Sequence, residues 1–220
     1  MKRALRPVLS LICVVGVVIA LWPLGQTAYA WWSQYTLRAA WRAEASQARH
    51  SAVPRAKAKP RVRKPAPLAA KPGARAAESH AEWPPTRIVA PDIGLDTVVI
   101  QGWAEADLRR APGHYPISAL PGEAGNCIIA GHRNIYGSWF YRVNELEPGA
   151  TIELRTPRQT FSYQVTSIDI VTDTDSSIMA PAANQASAPQ LTLITCTVPL
   201  TADRIIVRAA MMAEGVSSGQ

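Results

Sequence analysis

Hydrophobic and polar positions divide the chain into three textures. From Pro7 to Leu37 no residue is charged, and Val8 to Trp22 (VLSLICVVGVVIALW) is apolar almost without a break. A run of this kind after MKRALR predicts a transmembrane anchor or a secretory signal peptide. Continuing it through PLGQTAYAWW adds length and brings Tyr29, Trp31 and Trp32 to where an aromatic belt would lie. Ala28-Tyr29-Ala30 also fits a small-x-small cleavage site, and the uncleaved anchor is the reading adopted. Residues 51–76 (SAVPRAKAKPRVRKPAPLAAKPGARA) show neither helical nor alternating apolar periodicity. Such a segment buries too little to fold, and it predicts a disordered, semi-extended spacer holding the following domain away from the membrane.

From Trp83 the pattern changes. Short apolar or alternating runs appear at Arg87–Ala90, Asp96–Ile100, Asn126–Ala130, Thr151–Arg155, Phe161–Val171, Leu191–Thr195 and Arg204–Ala209, separated by Pro-Gly, Glu-Pro-Gly and Asp-rich turns. Many short strands at this spacing predict an all-β barrel or sandwich. Ala104–Arg110 and Ser138–Glu145 are expected as short helices. The loop Thr172–Gln190 is long for a compact domain, which marks it for function. The expected organisation is an N-terminal membrane anchor or signal segment at 1–37, a basic linker at 38–82 and a folded catalytic domain at 83–220.

Charge sharpens this division. The chain carries a net +7. Residues 1–35 hold three Lys/Arg and no acid, 36–82 hold eleven against three Glu, and 83–220 hold nine Arg against thirteen acids. The basic surplus therefore belongs to the N-terminal third. The mildly acidic last domain argues against nucleic acid as a partner. The basic start favours a cytoplasmic N-terminus. The spacer is basic too, but its first charge, Arg38, lies well past the apolar core, and long following domains translocate largely regardless of charge. The expected location is the cell membrane, single-pass, with the folded domain extracytoplasmic.

Three cysteines do not make a disulfide framework. Cys13 lies in the apolar run, which leaves Cys127 and Cys196 as a possible pair or as separate thiols. Cys196 ends the strand LTLITC, and Pro199 stops the ladder shortly after it. His132 follows the apolar strand ending at Ala130, with Gly131 allowing a close backbone approach or a positive φ. Arg204 comes eight residues after Cys196, so a hairpin would return it beside the thiol. Taken singly, each has a plain structural reading: a buried thiol, a strand-capping imidazole, a surface ion pair of Arg204 with Asp203. His114, Arg133 and Arg208 compete for the same roles. Taken together, the three supply what acyl transfer needs. A thiolate attacks the carbonyl, a guanidinium holds the oxyanion, and an imidazole protonates the leaving amine. No cofactor is called for. There is no CxxC, HExxH, phosphate-cradling glycine loop or GxSxG, and Asp173 with Asp175 is a weak calcium signal.

At this point the residues resemble a known family. Thr192-Leu193-Ile194-Thr195-Cys196 with downstream Arg204 is similar to the sortase pattern TLxTC followed by arginine. Ala119–Asn126 leading to Ile129-Ala130-Gly131-His132-Arg133 resembles the sortase strand that ends in the catalytic histidine, and Ile88–Asp96 resembles the family's first strands. The resemblance runs from about Trp83 to Ala210, with segment order and GHRNIYGSWF pointing to class D or E. It implies an eight-stranded closed β-barrel with short helices. It implies cleavage of a C-terminal LPxTG- or LAxTG-like sorting motif between Thr and Gly, through a thioester. The partners implied are secreted proteins bearing that motif and an amine acceptor, a peptidoglycan stem peptide or a pilin lysine. By position Cys196 becomes nucleophile, His132 general acid then base, and Arg204 the oxyanion clamp, with Thr195 and Ile194 as substrate contacts. Cys127 departs from the pattern. Five residues of strand, about 16 Å, separate it from a site at the strand ends, so a buried structural thiol is expected. A cysteine protease using water as acceptor, and a membrane-tethered binding module without catalysis, are the other readings.

Overall fold

The computed structural model describes residues 2–51, 83–172, 188–197 and 202–212. An N-terminal helix, α1 (Lys2–Ser51), is followed by eight strands: β1 (Thr86–Ala90), β2 (Leu95–Gln101), β3 (Gly113–His114), β4 (Gly125–Ala130), β5 (Thr151–Arg155), β6 (Thr160–Thr172), β7 (Pro189–Cys196) and β8 (Asp203–Met211). A one-turn helix, α2 (Glu105–Leu108), sits between β2 and β3. The strands close into a barrel in the order β1-β2-β3-β4-β7-β8-β6-β5. The pairs β2/β3 and β4/β7 are parallel and the others antiparallel.

Alternation builds most of the wall. In β5, Ile152 and Leu154 face the interior while Thr151, Glu153 and Arg155 are half-buried outside. β4 and β7 read differently, with nearly every residue buried (Asn126–Ala130 and Gln190–Thr195). Consecutive apolar pairs such as Ile128-Ile129 and Leu193-Ile194 fit a wall covered on both faces. Inside, Cys127, Ile129, Leu191, Leu193 and Val207 join Ile88, Phe140, Ile152, Leu154 and Tyr163 in the main core. Outside, Ile128, Ala130, Ile194 and Ile206 form a second cluster under Trp103, Leu108, Tyr115 and Val171.

Seven strands fall within two residues of their sequence-predicted bounds at every end. β3 was unpredictable because two residues carry no periodicity. The helix expected at Ser138–Glu145 shrinks to a single 3-10 turn, Val143–Glu145. Tyr136, Gly137 and Ser138 are left-handed (φ 49°, 85° and 51°), which prevents a right-handed helix from starting there.

The first 14 residues of the expected linker, 38–51, continue α1 instead. Tertiary contact decides this. Between Asp96 and Val98 the second edge of β2 has no strand beside it, because β3 pairs only with Ile100 and Gln101. Buried Gln34 fills the role of a strand: its Nε2 donates to Val98 O at 2.9 Å and its Oε1 accepts from Val98 N at 3.0 Å. One turn later Arg38 donates to Asp96 O. Four helical residues rise about 6 Å and two strand residues about 6.7 Å, so the spacings agree. Trp41 Nε1 reaches Arg155 O at 3.3 Å, and the Arg87 guanidinium lies 5.1 Å from the Trp41 ring. Burial opposes the Asp96 carboxylate, but its ion pair with Arg87, helped by Arg38 and Arg155, holds it below the usual carboxylate range. The remainder of the expected spacer, 52–82, lies outside the described residues.

From Ser10 onward α1 is long and apolar enough to cross a membrane. Leu11, Val14, Val18, Ile19, Leu21 and Trp22 are all exposed, unlike the residues of a core helix.

Candidate active site

Strand register brings the three predicted residues to neighbouring strand ends. In the β7/β8 ladder Cys196 is paired directly with Arg204. In the parallel β4/β7 ladder the last pair is Ala130↔Ile194. The alignment continues, since Gly131 N donates to Ile194 O at 3.1 Å and Thr195 Oγ1 donates to Gly131 O at 2.8 Å. His132 follows directly, just past the end of β4 and toward the Cys196 end of β7. Cys196 and Arg204 stand on adjacent strands roughly 4.8 Å apart. All three share the parity of Ile128, Ala130, Ile194 and Ile206, so they belong to the outer face of the wall and not to the barrel interior.

Gly131 makes the turn out of β4 possible through close approach. A Cβ there would lie 2.8 Å from the Phe140 ring, which is fully buried. Phe140 N in turn donates to His132 O at 3.2 Å, which fixes the histidine backbone. The His132 ring is half-buried and lies 5.2 Å from the Tyr136 ring at 41°. Its Nε2 is buried with no hydrogen-bond partner among the described residues. Burial pushes the imidazole below its ordinary 6.5. The Glu105 carboxylate pulls it back up and Arg109 pushes it down. Cys196 is a free, half-buried thiol. Arg204 Nη1 donates to the carbonyls of Ala202 and Asp203 at 3.0 and 3.1 Å.

The other candidates are elsewhere. His114 is fully buried, stacked on Trp83 at 4.0 Å, and bonded through Nε2 to Ala119 O and Ser118. Arg133 is held by Asn144 Oδ1 at 2.9 Å. Arg208 pairs with Thr192, four residues down β8 from Arg204. Cys127 is buried in the core, paired with Leu191 and free, and burial drives its thiol pKa far up. Thr195 is buried with its hydroxyl spent on Gly131, so it ties β7 to the histidine turn. Ile194 lies on the outer face among the apolar cluster. Asp173, Asp175 and most of the loop Thr172–Gln190 lie outside the described residues, and no group of three metal-ligating side chains occurs among the described ones.

Sequence reasoning missed the surroundings of His132. α2 carries the Glu105–Arg109 ion pair, and the Arg109 guanidinium lies 5.5 Å from the Tyr136 ring. The i,i+4 spacing of Glu105 and Arg109 was readable as a helix pair, but not its direction. The outer cluster forms an apolar floor that runs along β4, β7 and β8 to the Cys196 end. A thiol, an imidazole and a guanidinium gathered at the strand ends suit attack on a reactive carbonyl.

The family model described as Sortase domain matches residues 88–212. The chain belongs to the sortase family, whose members are cysteine transpeptidases. Sortase D of Bacillus subtilis (strain 168) is 32% identical over 106 residues, 48% of this chain and 50% of that protein. Sortase SrtE1 of Streptomyces coelicolor is 35% identical over 127 residues, 54% of this chain and 34% of that protein. The chain thus matches half or less of the length of these relatives. Among solved structures, a Clostridium perfringens Sortase D5 transpeptidase superposes with a TM-score of 0.54 at 30% identity, covering 59% of this chain and 79% of that one. A lid mutant of Sortase A from Corynebacterium diphtheriae gives 0.55 at 27%, covering 61% and 73%.

Proposed function

We propose that this sortase is anchored by α1 with its barrel extracytoplasmic, and that it cleaves an LPxTG- or LAxTG-like C-terminal sorting motif between Thr and Gly. The observation that supports this best is the direct pairing of Cys196 with Arg204, with His132 just past the end of the neighbouring β4. An imidazole held below its ordinary value is mostly neutral at pH 7. It takes the proton of the Cys196 thiol as sulfur attacks the Thr carbonyl. Arg204 turns to hold the oxyanion. Collapse breaks the Thr–Gly bond, and His132 returns the proton to the leaving glycine amine. An amine acceptor, a peptidoglycan stem peptide or a pilin lysine, then attacks the thioester. It gives its proton to His132, which restores the thiol as the new amide forms. Ile194 contributes to the floor beneath the motif, and Thr195 acts by fixing the spacing of β4 and β7.

The test is mass spectrometry of the full chain in detergent with LPxTG and LAxTG peptides, with and without an amine. A thioester on Cys196 that resolves to an amide supports transpeptidation and ranks the motifs. Resolution only to acid favours a protease. No adduct with either peptide favours a binding module.

A further inference from the structure

The turn after His132 is clamped from two sides. Tyr136, Gly137 and Ser138 are all left-handed, and Tyr136 is a bulky residue for that region. Such backbone persists where neighbours over-determine it. On the inner side, the Tyr136 ring packs against His132 and under the Arg109 guanidinium. On the outer side, Trp139 meets Trp31 of α1 edge-on, with centroids 4.9 Å apart at 61°. Between them, a Cβ on Gly137 would come within 2.8 Å of the Trp139 ring, so only glycine fits. α1 is held in turn, because Gln34, Arg38 and Trp41 bond the edges of β2 and β5 within three turns of Trp31. Contacts therefore run without a gap from the apolar helix through Trp139 and the left-handed turn to the imidazole.

Among the described residues His132 Nε2 has no hydrogen-bond partner. A catalytic imidazole is usually oriented by a carboxylate or carbonyl on its second nitrogen. Here aromatic packing is available for that task. We propose that Tyr136 and Trp139 are positioning residues for His132, and that Trp31 couples them to α1, making the apolar helix part of the active-site frame. The proposal rests on the transpeptidase reading of His132. The groups that face the imidazole are Glu105 of α2, Arg109 at its C-terminal cap, and Tyr136 in its own turn.

The test uses the full chain in phospholipid nanodiscs with nitrogen-labelled histidine, the His132 signal being assigned by His132→Gln. Two quantities are read: the His132 titration midpoint, and kcat and KM on the sorting peptide. Tyr136→Ala uncovers the imidazole, so its midpoint rises toward 6.5. kcat falls about tenfold or more while KM stays within about threefold, as expected for a displaced catalytic group. Trp31→Ala moves both in the same direction by a smaller factor, about threefold in kcat. Tyr136→Phe and Trp31→Phe keep the rings and restore most of each loss. The proposal is overturned if Tyr136→Ala titrates as the parent does. It is also overturned if Trp31→Ala is silent, or if kcat falls only in step with the folded fraction. The titration needs no turnover. A parent that turns over no peptide would therefore sink the transpeptidase reading while leaving the positioning claim to stand or fall on its own signal.

Discussion

The barrel holds the same two reactive side chains at two depths. Cys127 and His114 lie toward its closed interior, while Cys196 and His132 stand at the strand ends. Both histidines are pushed below 6.5 by burial. Yet His114 is sealed against Trp83 with its Nε2 bonded to a carbonyl, and His132 meets charged groups on α2 and a tyrosine on a strained turn. Cys127 points inward and Cys196 outward. Burial alone therefore does not mark a working group.

The sharpest way to break the comparison is Cys196→Ala against Cys127→Ala. The first should lower transpeptidation by a factor of about a million, the scale seen when a nucleophile is removed, with the far-ultraviolet spectrum unchanged. The second should keep the rate and lose about 1 kcal/mol in denaturant unfolding, the order expected for a small buried side chain. Equal losses of activity would erase the distinction between mouth and interior. Next comes Arg204→Lys, expected to lower kcat/KM roughly 100-fold, because an ammonium lacks the planar fork. A near-parental rate would remove Arg204 from the site. Alkylation should then separate the thiols kinetically: iodoacetamide labels Cys196 in the folded protein and reaches Cys127 only in urea, read by peptide mapping.

The smallest effect concerns His114. Its folded value lies below 6.5, so the unfolded chain binds more protons in acid. Stability from this group is complete above about 6.5 and declines as pH falls below that value. His114→Gln should flatten that part of the curve of unfolding free energy against pH. His132, only half-buried, contributes a slope of the same sign. If the curve is unaltered, the imidazole is not kept neutral by its surroundings.

How much of this was legible varies by residue. The wall was readable because Ile152 and Leu154 alternate with period two and because β4 and β7 stand out as short apolar runs between turns. The grouping of His132, Cys196 and Arg204 was suggested by strand ends and by resemblance, but its register needed the Gly131–Thr195 bond, which no periodicity reveals. α1 beyond Leu37 misled the sequence reading. Gln34 in the anchor segment, and Arg38 and Trp41 in the basic linker, carry no pattern that sets them apart until the unpaired edge of β2 is seen beside them. Ser138 was read as the start of a helix because nothing local disfavours one except the neighbouring Gly137.

The docking of α1 on β2 also sets a height. The helix meets the barrel at Gln34–Trp41, before the basic segment 52–82 begins, so that segment lies downstream of the joint and cannot act as the leash. From Trp22 to Trp31 the helix rises about 14 Å. The distance from the apolar part of the helix to the Cys196 end of the barrel is thus ruled in steps of 1.5 Å per residue, like graduations on a rod. Lengthening 52–82 would change nothing in that distance, whereas one added helical turn ahead of Trp31 would lift that end by about 5 Å and swing it around the rod's axis.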